Sequence, residues 1–256
     1  MDTRPQARST AEPAGPARHN AAGAAKRASH GGCAGCLARP LAVCASIPAA
    51  DTHALEAAAG EVLLPAGATL AYEGDPRREV YTVTRGMLRR VRLLPDGRRL
   101  VAGFLMAGDF IGFSGAPHYR HTLEAVGDCV LCVFPLQSMR SLCQRYPELE
   151  AGMLAQACNE LDATRDNLML LARLGPGERL AAFLLGLSER QQRRGAAAGH
   201  VDLPMTRADI ADHLGLTIET VSRSFTKLRQ GGAIAFEDPR RIDLVDVAAL
   251  RRAAGV

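Results

Sequence analysis

The chain has 256 residues, 47% apolar and 23% charged, a globular composition with room for about two domains. No apolar run approaches the roughly 18 residues of a membrane span, and residues 1–30 lack a secretory core, which predicts a cytoplasmic chain with seven reduced cysteines. The net charge of +4 resides in residues 1–50, where six Lys/Arg face Asp2 and Glu12, so overall charge is no pointer to nucleic acid.

Residues 1–30 are rich in Ala, Gly and Pro without apolar periodicity, which predicts a disordered tail. Residues 31–50 form a cysteine-rich segment: "GGCAGCLARPLAVCA" sets Cys33, Cys36 and Cys44 close together. C-x2-C brings two soft sulfurs within reach of one metal centre, and four thiolates suit either an iron–sulfur cluster or zinc. The fourth ligand must then come from Cys129, Cys132, Cys143 or Cys158.

Residues 51–147 read as a β-roll. Short alternating runs such as "EVYTVTRG" (79–86) and "MLRRVRLL" (87–94) are cut by turn signals at "EGDP", "PDG" and "AGD". Arg85, Arg89, Arg90, Arg92, Arg98 and Arg99 are expected on solvated strand faces and turns. Residues 148–174 carry Leu154, Ala157, Leu161, Thr164, Leu168 and Leu171 at 3-4-3-4-3 spacing, the seam of a two-stranded coiled coil. A homodimer follows from that helix, with Cys143 and Cys158 expected as buried or interface residues.

Residues 175–256 read as a winged helix-turn-helix, with helices over 178–194, 206–213 and 217–230 and a hairpin over 232–246. Thr206 can cap one helix with Asp209 three residues on, and Thr217 the next. Ile218, Val221, Phe225 and Leu228 are expected to be buried, which turns Glu219, Ser222, Arg223, Thr226 and Lys227 outward. Arg223 suits guanine, Glu219 cytosine and Ser222 thymine. Thr220, Lys227 and Arg207 are candidates for phosphate. The chain has no Gly-rich phosphate loop and no nucleophile–base signature, and His118 and His121 lack convincing carboxylate partners, so no enzyme and no small-molecule substrate are expected.

"LTIETVSRSFTKL" after "TRADIADHLG", behind a long helix and a glycine-punctuated roll, resembles the CRP/FNR superfamily of bacterial transcription regulators. The fold class implied is α+β: a cyclic-nucleotide-binding-like β-roll (jelly roll), a dimerisation helix and a winged helix-turn-helix. Glu219, Ser222 and Arg223 match the FNR branch, which implies palindromic DNA of the type TTGAT-N4-ATCAA and RNA polymerase as a partner. The same branch implies an oxygen-labile [4Fe–4S] cluster on Cys33, Cys36 and Cys44. Its fourth ligand would be Cys132, in "CVFPL", with Cys129 as the runner-up. The C-x2-C-x7-C spacing departs from the best-known C-x2-C-x5-C and is similar to that of related α-proteobacterial oxygen regulators. In "GDFIGFSGAPHYRHTLEAV" (108–126), Asp109 stands where cyclic-nucleotide sensors hold ribose with Glu, and "YRHT" replaces their phosphate clamp. Arg120 alone keeps a nucleotide effector open.

Overall fold

The computed structural model describes residues 25–29 and 31–255. Strand β1 (Lys26–Ser29) is followed by a run of 3-10 turns over Arg39–Leu41, Val43–Ser46 and Ala49–Asp51, and by helix α1 (Thr52–Ala58). The roll comprises β2 (Gly60–Leu64), β3 (Thr69–Ala71), β4 (Glu79–Arg85), β5 (Met87–Leu93), β6 (Arg99–Met106), β7 (Phe110–Ile111), β8 (Thr122–Ala125) and β9 (Cys129–Pro135). Two antiparallel sheets, ordered β1-β2-β9-β4-β7 and β3-β8-β5-β6, enclose Val62, Leu64, Val83, Leu88, Leu105, Leu123, Leu131 and Val133. The period-2 pattern of the sequence supplies that apolar layer.

One expectation changes at the start of the chain. Lys26–Ser29 are not tail but an edge strand, in register with Gly60–Leu63 of β2, and Ala25 packs against the core of the roll; residues 1–24 and 30 of the predicted disordered tail lie outside the described residues.

Helix α2 (Leu136–Arg145) leads to α3 (Pro147–Arg173), which starts with proline in its first turn and Glu148 and Glu150 beside its N-terminus. Those acidic groups complement the positive end of the helix dipole. At about 1.5 Å per residue the 27 residues of α3 run roughly 40 Å. Leu174 turns extended, and Pro176 opens α4 (Pro176–Gln192).

The last domain adds β10 (His200–Asp202), α5 (Arg207–Leu214), α6 (Ile218–Gln230), β11 (Ile234–Ala235), β12 (Arg241–Leu244) and α7 (Val247–Ala254). Its wing is a three-stranded sheet, β10-β12-β11, where the sequence suggested a two-stranded hairpin. Thr206 and Asp209 form the expected reciprocal cap, and Thr217 accepts from the Thr220 backbone N–H at 3.2 Å. Gly215, at φ 64°, makes the left-handed turn between α5 and α6 that a side chain would strain.

The roll and the winged domain share an interface. Met87, Val91, Val101, Phe104 and Met106 on the outer face of the roll join one apolar cluster with Leu180, Leu184, Ile210 and Leu214. Two ionic groups flank it. Asp209 is fully buried and accepts from Arg89 Nη1 at 2.9 Å and Arg99 Nη2 at 2.5 Å, while Arg99 Nε also reaches Asp212 at 2.8 Å. Asp109 accepts from Arg190 at 2.7 Å and Arg194 at 2.6 Å on α4. The arginines of β5 and β6 are therefore not simply a solvated face, as the sequence suggested. Arg89 and Arg99 hold the helix-turn-helix, and Arg90 pairs with Glu160 of α3.

Candidate metal centre and nucleic-acid interface

The segment from Cys33 to Ile47 has no long element because its apolar residues follow no helical or alternating period and Pro40 interrupts it. It folds as successive tight turns, with Cys33 O accepting from Cys36 N–H at 3.3 Å and Cys36 O from Arg39 N–H at 3.1 Å. Ala38, Ala42, Val43 and Ile47 are buried and anchor it against the outer side of the five-stranded sheet. The Cys33 N–H donates to Glu56 Oε1 of α1 at 2.6 Å. The result is a cavity lined by Cys33, Cys36, Cys44 and Cys132, together with Arg39, Thr82 and Phe134.

Strand periodicity places the two candidate fourth thiols on opposite faces of β9. On β9, Cys129, Leu131 and Val133 face the interior of the roll, whereas Cys132 and Phe134 face the cysteine segment. Cys129 is three residues from Cys132, hence on the opposite face, where its Sγ donates to the carbonyls of Met87 at 3.1 Å and Gly127 at 3.2 Å. Cys143 is half-buried against Met153 Sδ at 3.7 Å. Cys158 is exposed on α3, not buried.

Burial pushes the thiol of Cys44 up to about 11, and the neighbouring Cys33 and Cys36 reinforce the shift. Burial raises Cys132 and Cys33 as well, Cys132 also feeling the other three thiols and Cys33 feeling Glu56 and Cys36. Arg39 opposes this at Cys33 and Cys44. Four mutually repelling sulfurs raise the cost of ionisation, and a cationic metal core reverses that logic because the coordinating thiol is deprotonated. Four soft donors around one cavity fit such a core. Among the described residues, no three His, Cys, Asp or Glu side chains crowd closely enough for one metal ion.

On the winged domain, α6 buries Val221, Ser224, Phe225 and Leu228. Glu219, Ser222, Arg223, Thr226, Lys227 and Arg229 are exposed on its other side. Ile218, expected in the buried stripe, is 48% exposed at the first turn, with Ser224 covered instead. Burial of the Ser224 hydroxyl is tolerated because it donates to Thr220 O at 2.9 Å. Thr206, Thr217 and Thr220 spend their side chains on helix caps. Arg207 departs from its expected place. Its guanidinium stacks over Phe225, 3.3 Å from the ring centroid, with Nη1 buried and Nη2 donating to Pro239 O at 3.4 Å, so in this structure it braces α5 against α6.

Comparison with known proteins agrees with this architecture. The cyclic nucleotide-binding domain family matches residues 61–146 and the Crp-like helix-turn-helix domain family residues 178–253. The nitrogen fixation regulation protein FixK of Bradyrhizobium diazoefficiens is 39% identical over 223 residues, covering 84% of this chain and 94% of FixK. The chain belongs to the CRP/FNR superfamily of transcription regulators. Another member, the fumarate and nitrate reduction regulatory protein of Escherichia coli, is 31% identical over 191 residues, 74% of this chain and 76% of that protein. The solved structure of FixK2 from Bradyrhizobium japonicum superposes with a TM-score of 0.71 at 33% identity, covering 76% of this chain and 96% of FixK2.

Superfamily membership makes this chain a DNA-binding transcription regulator rather than an enzyme, and CRP/FNR regulators act as dimers. The α3 seam is disposed for that. Leu154, Leu161 and Leu168 are 66%, 50% and 67% exposed, Leu171 is at 36%, and Thr164 is exposed with its hydroxyl donating to Glu160 O; Ala157 is half-covered. The helix has its own roll on the other side, where Gln156 Nε2 donates to Gly108 O at 3.2 Å and Glu160 meets Arg90. Gly152 lies on the same side as those contacts. An added Cβ there would stand 2.0 Å from Ser46 Oγ, so the cysteine segment packs directly on the helix backbone. Asp109 is occupied by Arg190 and Arg194, and Arg120 is exposed, an arrangement that offers no assembled clamp for a cyclic phosphate. No helix among the described residues is long and apolar enough to cross a membrane.

Sequence reading missed the Arg89/Arg99–Asp209 group and helix α7. For α7 a signal existed: Asp246 sits where an N-cap belongs and accepts from the Ala249 N–H at 2.8 Å.

Proposed function

We propose that this regulator senses oxygen through a [4Fe–4S] cluster held by Cys33, Cys36, Cys44 and Cys132, and that the seating of its cysteine segment controls pairing through α3. The observation that carries the proposal is the convergence of four thiols, from two segments about ninety residues apart, on one cavity. Four thiolates also suit a single zinc ion, and the likeness to the FNR branch favours the cluster. When bound, the cluster supplies reactivity toward oxygen and a positive core that keeps the thiols ionised.

The chain's own residues do the rest. The four cysteines tie residues 33–47 to β9, and Val43 and Ser46 then rest on α3 at Gly152, two positions before the first seam leucine. Release of the segment removes that support from the N-terminal half of α3. Paired α3 helices set two copies of α6 about 34 Å apart, as half-sites one DNA turn apart require. Arg223, Glu219 and Ser222 read TTGAT-N4-ATCAA-like half-sites, and Lys227 holds phosphate. Relatives are named for control of fumarate and nitrate reduction and of nitrogen fixation. The corresponding role here is control of genes for life at low oxygen, exerted together with RNA polymerase.

Iron and acid-labile sulfide analysis of anaerobically purified protein tests the reading. We expect about four iron and four sulfide per chain, lost in Cys132→Ala and kept in Cys129→Ala. A single zinc without sulfide, or equal loading of both variants, overturns it.

A further inference from the structure

Arg39 lies between the second and third cysteines, in the 3-10 turn Arg39–Leu41. Its Nη2 donates to Ile47 O at 2.5 Å, which clamps the guanidinium across the loop. Its Nε is buried with no hydrogen-bond partner among the described residues, and the side chain lines the cavity of the four thiols. A buried donor on a permanently charged group is costly to leave unmade, and native structures seldom do so without an acceptor that completes it. The Ile47 contact alone explains why the guanidinium is held, not why Nε meets no acceptor among the described residues.

We propose that Arg39 is a positioning residue for the group bound by Cys33, Cys36, Cys44 and Cys132, its Nε–H donating to a sulfur of that group while its charge offsets the thiolates. This rests on the reading of the cavity as a cluster site. Guanidinium suits the task because it stays charged when buried and its fork fixes one donor while another is tethered. The neighbouring acids push the other way: Glu56 acts on Cys33 and Glu61 on Cys132, and both disfavour thiolate. Hydrogen bonds to cluster sulfurs and local charge set reduction potential. Arg39 therefore raises the potential and slows oxidative loss in air.

The test compares wild type, Arg39→Lys and Arg39→Met, purified and reconstituted anaerobically. Readouts are iron and sulfide per chain, the midpoint potential by spectroelectrochemistry, and the rate at which visible absorbance bleaches in air. Lysine keeps the charge and can still reach Ile47 O but has no Nε–H fork; methionine loses all three. We expect a more negative midpoint and severalfold faster bleaching in both variants, the larger shift in Arg39→Met. Should Arg39→Met misfold by circular dichroism, Arg39→Lys decides. Loaded variants with wild-type midpoint and bleaching rate overturn the role of Arg39 and leave the cluster reading standing. Wild type without iron or sulfide overturns the cluster reading itself.

Discussion

Replacing Asp209 with Asn tests whether the roll and the helix-turn-helix are mechanically joined. The carboxylate is fully buried and accepts from Thr206 N–H at 3.0 Å, Thr206 Oγ1 at 2.8 Å, Arg89 and Arg99. Removing one member of a buried ion pair typically costs about 3–5 kcal/mol. Here the cations are not stranded: Arg89 keeps Glu124 at 2.8 Å and Arg99 keeps Asp212 at 2.8 Å. The expected loss is therefore about 2–3 kcal/mol, near the value of two charged hydrogen bonds less what amide retains. Urea unfolding of wild type, Asp209→Asn, Arg99→Met and the double variant measures it. A coupling above about 1 kcal/mol in the cycle is expected. Burial alone would raise the Asp209 carboxyl, but bonds from Thr206 and the charges of Arg99 and Arg89 outweigh it and hold it below its ordinary value. Its stabilisation is then complete above about pH 4 and fades as pH falls through the lowered folded-state value, a limb the Asn variant lacks. A loss under about 1 kcal/mol with additive singles would show that the ionic group does not join the domains.

Leu161→Ala should weaken the dimer. The side chain is half-exposed in the monomer, so pairing covers the rest at about 1–1.5 kcal/mol per chain, or roughly 30–150-fold in dimer dissociation measured by sedimentation equilibrium; a change under about threefold rejects the seam. Arg223→Met should cost about 1–3 kcal/mol of discrimination at one base pair of the half-site, whereas Lys227→Met should weaken all sequences alike and lower the salt slope by about one per subunit. Equal effects from both would mean α6 is not the reading helix. His213 is pushed down by burial against its hydrogen bond to Val101 O at 3.0 Å, with Arg190 adding to the depression. Its neutral form is favoured in the fold, so stability is whole above about pH 6.5 and declines as pH falls toward the lowered folded-state value. His213→Gln should flatten that decline in thermal melts, and an unchanged slope would rule it out as the source.

Regular elements were legible where periodicity is strong. The alternation of β4 and β5, the 3-4 seam of α3 and the caps at Thr206 and Thr217 all declare themselves locally. The cysteine segment could be read for its chemistry but not its shape, because Ala38, Ala42 and Val43 bury little each and follow no period. Strand β1 was missed for a related reason: Lys26–Ser29 join the sheet by backbone pairing, with little apolar side chain to announce it. Charged residues misled most. Arg89 and Arg99 look solvated in sequence, yet their partners lie on other elements, Asp209 some 110 positions from Arg99. The resemblance favours Cys132 over Cys129, and the pleat of β9 puts the two on opposite faces.

Gly152 gives α3 a conflict of interest. Alanine would favour the helix by about 1 kcal/mol, the kind of change that stabilising consensus design selects. Yet its methyl would stand 2.0 Å from Ser46 Oγ and 3.1 Å from Ser46 Cβ, so Ser46 would have to turn away and the leader give ground. What the helix would gain along its own axis it would lose at this contact: here the absence of a side chain is what lets two segments of the chain meet.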